Sequence, residues 1–246
     1  GVSTDSGMVE ALKRLRQLDP ENPLWAEMLG YVRYKRGGWE TVEAITQFVD
    51  ALKIGSTNRS TYVLGAETSQ LMSNHERACD ILENAVRRFP NDLELKNNLA
   101  YALSHVPERV NQATNYLDAL MTYVPANTNF LDTAATVYVR VGNTNAARRA
   151  LQRLQAIVTE GSPAWLRAQS LEAQMLADAG QYQQAIDLLK EGLSLARVRD
   201  ATEADMISFR RYIDKWGYAL QEQAQDRALD EQDSVLTVDS PVKNPN

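Results

Sequence analysis

One short motif returns along the chain at a near-constant interval, and no other feature restricts the fold as much. Ala78, Ala113, Ala147 and Ala185 stand 35, 34 and 38 residues apart. Each is followed four residues later by a leucine, at Leu82, Leu117, Leu151 and Leu189. Pro20, Pro90 and Pro125 close segments, the last two 35 residues apart. Gly37, Gly142 and Gly180 mark turns, each two residues before the start of a further helix at Trp39, Thr144 and Tyr182. A period of this length, with small residues on paired helices, is the signature of stacked helix–turn–helix units. An alanine lets two helices approach closely, and the leucine one turn later fills the neighbouring gap. Glycine accepts the left-handed conformation that ends a helix, and proline prevents the next one from continuing.

The same markers place the helices. First helices are expected near 23–36, 58–72, 92–105, 128–141 and 163–179, and second helices near 39–53, 75–88, 107–122, 144–158 and 182–196. Ser162 before Pro163 reads as an N-cap with proline at the first helical position, and Pro107 with Glu108 reads the same way. No segment sustains two-residue alternation, so no sheet is expected. Residues 5–18 look like a second helix without its first, with Met8, Leu12 and Leu15 on one face. They are read as a half unit, a cap or the remnant of a longer array. Thr202 with Asp205 resembles a capping box and opens a helix reaching about Leu229. Its stripe of Met206, Phe209, Ile213, Trp216 and Leu220 is expected to bury against the open end of the last repeat. The organisation predicted is a half repeat over 1–22, an array over 23–197, a capping helix over 198–230 and a flexible tail over 231–246.

These residues resemble the tetratricopeptide repeat (TPR) over roughly 23–197, as five units. The likeness is strongest in the fourth, at Ala135, Tyr138, Gly142, Ala147, Leu151 and Leu154. The fifth carries Ala173, Gly180, Tyr182, Ala185 and Leu189, and the second Tyr62, Ala66, Ala78, Ala85 and Pro90. The first departs at Val42, where alanine is usual, although Leu29, Gly30, Gly37 and Trp39 fit. The third has an extra residue around Pro107 and Leu120 in place of a small residue. The resemblance implies an all-α fold: a right-handed superhelical solenoid of antiparallel helix pairs.

Composition narrows the function classes. The 246 residues carry a net charge of −6, with a pI near 5.1, which argues against a surface built for nucleic acid. No apolar run reaches the roughly 18–20 residues that cross a bilayer, so no direct membrane insertion is expected. A soluble chain of the cytoplasm or periplasm is expected, with the compartment open. The single cysteine, Cys79, excludes an internal disulfide and reads as a buried free thiol. No phosphate-binding glycine loop and no HExxH zinc helix occur. His75 and His105 fall in different repeats, His75 as a turn-packing aromatic and His105 at a helix end where positive charge suits the dipole. No catalytic residue, metal or cofactor is expected.

In tetratricopeptide arrays the first helices line an inner surface that receives peptides or partner helices. Carried over unit by unit, the inward residues here are Glu27, Tyr31, Tyr34 and Lys35, then Val63 and Glu67, then Asn97, Tyr101 and His105. The fourth and fifth units add Asp132 and Arg140, then Arg167 and Gln174. The carboxylate clamp of chaperone-binding members is missing, since Glu27, Tyr31, Val63 and Glu67 stand where it needs other residues. The asparagine ladder of sugar-transferring members is missing too, with only Asn98 in place. The resemblance therefore implies a non-enzymatic scaffold for a protein or peptide ligand, held by the three tyrosines, with Asn97 bonding its backbone and Arg140 and Arg167 selecting its charge. The alternatives are an assembly module that forms a homo-oligomer through its ends and terminal helix, and a regulatory domain of a larger enzyme.

Overall fold

The computed structural model describes residues 2–123, 126–198 and 203–238. The described residues are helical, with no strand among them. Two compact units divide at 141/142, in the turn of the fourth predicted repeat.

The first unit holds α1 (Val2–Leu18), α2 (Pro23–Arg36), α3 (Glu40–Ile54), α4 (Arg59–Leu71), α5 (His75–Arg88), α6 (Leu93–Ser104), α7 (Val110–Tyr123) and α8 (Thr128–Arg140). Successive helices pack on one another, and the first helices α2 on α4 and α6 on α8 also touch. Turns as short as Gly37–Trp39 force neighbouring helices to run antiparallel. The second unit holds α9 (Thr144–Gln155), α10 (Pro163–Asp178), α11 (Tyr182–Val198) and α12 (Glu203–Val238).

The first helices share one device at their starts. The side chains of Asn22, Asn58, Asp92, Asn127 and Ser162 accept backbone N–H groups of Leu24, Ser60, Leu95, Phe130 and Trp165 at 3.0–3.3 Å. Each satisfies a donor that the helix leaves unpaired, an effect of about 1 kcal/mol per cap. Sequence reading identified only Ser162 among them. The expected second helix near 107–122 opens instead with a 3-10 turn, Pro107–Arg109, before α7.

The repeat register is visible in burial. Ala78, Ala113, Ala147 and Ala185 are wholly buried, and so are Leu82, Leu117, Leu151 and Leu189. Phe48 of α3 sits against two glycines: a Cβ on Gly30 would lie 2.9 Å from its ring, and one on Gly65 would lie 3.3 Å from its Cβ. These glycines let the first helices close over a large side chain that is itself fully buried.

Three expectations need correction. On α1, Val9 and Leu12 pack with Leu29, Trp25 and Val32, while Met8 and Leu15 stay 43% and 37% exposed. The helix carries apolar residues on two faces, and Val9 rather than Met8 shares a face with Leu12 against α2. On α12, the helix runs to Val238 and not to Leu229, so the tail expected from 231 is helical as far as 238. The physical reason lies in the sequence, which has neither proline nor glycine between Leu229 and Pro241 to stop the helix. The stripe is the third case: Met206, Phe209 and Trp216 are buried in the cluster of the second unit and Ile213 packs against it, as expected, but Leu220 stays half-buried outside that cluster. Pro125, the predicted cap at Thr202 and Asp205, and residues 239–246 involve positions or side chains outside the described residues.

Cys79 is buried on α5, and burial pushes its thiol up to about 11. The thiolate is the reactive form. The native protein is therefore expected to resist a thiol reagent at neutral pH and to react fully once denatured. Rapid labelling of the folded protein would contradict this placement.

Candidate interaction surface on the first helices

The helix-pair geometry sets α2, α4 and α6 in sequence, with α2 against α4, and gathers part of the expected surface there. Tyr31 on α2 is 49% exposed, and the Lys35 ammonium lies 5.5 Å from its ring centroid. The same ammonium lies 5.9 Å from the ring of Tyr34. The Tyr34 hydroxyl donates to Glu67 Oε1 at 2.7 Å, which ties the first helix of one repeat to that of the next. The hydrogen bond to the Glu67 carboxylate, with burial, raises the Tyr34 phenol above its ordinary value. Glu67 also lines a cavity of about 190 Å³ with Val63, Ala66, Gln70 and Asn98. Tyr31, Tyr34, Lys35, Val63 and Glu67 thus form one polar-aromatic patch through the shared Glu67.

Other expected residues are placed differently. Glu27 is occupied within the fold: it accepts from the Ser56 hydroxyl and from Asn58 Nδ2, the latter at 3.1 Å. Asn97 is only 8% exposed, so it is poorly placed to bond a ligand backbone, and its neighbour Asn98 faces the cavity instead. A one-residue step on a helix rotates a side chain by about 100°, which is why Asn97 and Asn98 are easily exchanged in a sequence reading. Asp132 is half-buried on α8. Arg140 belongs to the first unit and Arg167 to the second. In the second unit Gln174 donates to Asp178 Oδ1 at 2.6 Å on the exposed side of α10.

A cluster that the sequence did not join lies at helix ends of the first unit. His75 opens α5 and His105 caps the end of α6, and their rings stack 4.6 Å apart at 23°. Tyr101 packs on His105 at 4.5 Å, and His105 Nδ1 lies 2.9 Å from the Tyr101 carbonyl. Arg140 donates to the Ser104 carbonyl at 3.0 Å beside them. His75 therefore packs as an aromatic, as expected, but its partner is the other histidine. The positive charge expected on His105 at a helix end is opposed by its surroundings. Burial, with lesser repulsion from Arg140 and His75, lowers its pKa to about 4. Burial and Arg140 lower that of His75 as well.

This has a consequence for acid stability. The unfolded chain takes up the proton at the ordinary imidazole value of 6.5, and folded His105 does so only near 4. The unfolded state then holds more protons between these values, so stability falls as pH falls from 6.5 to about 4. Melting temperatures measured across that window should drop less in His105→Phe, which keeps a ring in the stack, than in the parent. Equal pH dependence in both proteins would contradict the buried neutral histidine.

Among the described residues no group of three potential metal ligands converges, and no helix is long and apolar enough to cross a membrane.

No family model matches the sequence, and no curated protein matches it. Solved structures do. A tetratricopeptide repeat protein from Parabacteroides merdae superposes with a TM-score of 0.65 at 17% identity, covering 91% of this chain and 84% of the other. A thermophilic TPR protein of Thermus thermophilus gives 0.59 at 19% identity, covering 78% and 98%. YrrB, a TPR protein with an unusual peptide-binding site, gives 0.54 at 14% identity, covering 82% and 99%. With the buried alanine register and the paired helices, these likenesses show that the chain has the tetratricopeptide-repeat fold.

Proposed function

We propose that the chain is a non-enzymatic protein-interaction scaffold that holds a peptide or partner segment on its first helices. The carrying observation is the patch on α2 and α4, where Tyr31 stands 49% exposed beside Lys35 and the Tyr34–Glu67 pair. Tyrosine offers contact area with little rotamer entropy and a hydroxyl at its rim. The adjoining cavity presents Glu67, Gln70 and Asn98, which can bond a peptide backbone. A surface already formed on rigid helices lowers the ordering cost of binding an extended segment. YrrB, a TPR protein with an unusual peptide-binding site, offers a precedent for peptide binding on the same fold. Arg140 and Arg167 would contribute to charge selection, each within its own unit.

The test is affinity capture followed by identification of the retained proteins. Tyr31→Ala with Tyr34→Ala should weaken capture of the partner by more than about tenfold, the loss of hot-spot residues from the patch. Arg148→Ala with Arg149→Ala on α9 should leave capture unchanged. The opposite pattern, in a tyrosine variant with an unchanged helical spectrum, would overturn the assignment.

A further inference from the structure

The second helices α3 and α5 enclose a groove of about 940 Å³, far larger than the cavity on the first helices. Buried Tyr62 and Ile81 give it an apolar part. Exposed Lys53, Arg77, Arg87 and Arg88 line it as well. Arg77, Ile81, Asn84 and Arg88 follow one face of α5 at helical spacing. Among the described residues, no carboxylate pairs with any of these four cations, and Arg87 donates only to neutral Asn84, at 2.6 Å. The acidic side of the groove is weaker: Asp50 is already paired with Arg16 at 2.7 Å, which leaves Asp80. A chain of net charge −6 therefore carries a groove with surplus positive charge and an apolar part. Such a site suits an acidic amphipathic helix.

The chain contains one. α12 packs on α11 and α10 through Met206, Phe209 and Trp216, but from Ala224 to Leu229 every side chain is exposed, Leu229 to 61%. At 36 residues the helix is roughly 54 Å long. Its sequence from Glu222 to Val238 carries Glu222, Asp226, Asp230, Glu231 and Asp233 against Arg227, interspersed with Leu229, Val235 and Leu236.

We propose that the acidic end of α12 from a second copy docks in the α3–α5 groove, so that the chain self-associates. The contact joins unlike surfaces. Reciprocal exchange of the two arms closes a dimer, and one-way insertion builds a chain of copies. It involves neither the tyrosine patch nor its ligand, so its failure leaves the first-helix reading standing.

The experiment is analytical ultracentrifugation of the full chain from micromolar to near-millimolar concentration, at low and high salt. Self-association that weakens with salt is expected, because the charges lie at the surface. Arg77→Glu with Arg88→Glu, and separately Glu222→Lys with Asp226→Lys, should each weaken association by at least about tenfold, through like charges placed opposite one another. An equimolar mixture of the two variants should associate again, since the reversed arm of one meets the reversed groove of the other. All the altered side chains are surface groups, and circular dichroism checks that each variant folds. A chain that stays monomeric throughout overturns the proposal. So does association untouched by both reversals, or a mixture that fails to restore it.

Discussion

Phe48→Ala should lower the melting temperature by about 6–20 °C, the scale set by a loss of about 3–5 kcal/mol on deleting a buried aromatic ring from a domain of this size. The ring is fully buried between Gly30 and Gly65, and neither glycine has a side chain to fill the space left behind. The converse change supplies an internal check. Gly30→Ala would place a Cβ 2.9 Å from the ring, so Phe48 must shift, at a cost of about 1–3 kcal/mol. In the double variant that clash is gone. The two effects should therefore fall short of adding, by more than the few tenths of a kcal/mol typical of independent sites. Additivity in thermal or denaturant unfolding would mean that Phe48 does not pack on Gly30, and that the first repeat is out of register.

Removal of α12 is expected to be the other large effect. Phe209 lies against α11 at Gly192, where a Cβ would come within 2.7 Å of its ring, and Trp216 stacks on Tyr212 with centroids 5.0 Å apart. Truncation after Val198 strips this layer from Ala185, Ile186 and Leu189 and leaves the last repeat open. The truncated protein should aggregate or melt early, and Phe209→Ala alone should cost about 3–5 kcal/mol. Light scattering and thermal melts decide it. A truncated chain that stays monomeric with an unchanged melting temperature would show that α12 is an arm and not a cap.

The repeat was legible because its physics is local. A small residue is needed wherever two helices come close, so the alanine spacing in the sequence and the buried alanines of the fold report the same contact. Where a helix carries apolar residues on more than one face, as α1 does with Met8, Val9, Leu12 and Leu15, periodicity alone does not choose the buried one. The end of α12 was misjudged because acidic composition was read as a stop, whereas the strong breakers are proline and glycine, and neither occurs between Leu229 and Pro241. The exposure of Tyr31 was legible, since it follows from its place on α2. The burial of Asn97 was not, because one step around the helix separates a buried amide from one at the cavity. The pairing of His75 with His105, and of Lys53 with the α5 arginines, joins residues of different helices, which only the packing discloses.

The central claim is that partners are held on the first helices. A photoreactive benzoyl-phenylalanine placed at Tyr31, and in a second protein at exposed Arg148 on α9, tests it most directly. After irradiation in cells, a discrete adduct with another protein should form from position 31 and not from position 148. Adducts from 148 alone would contradict the account.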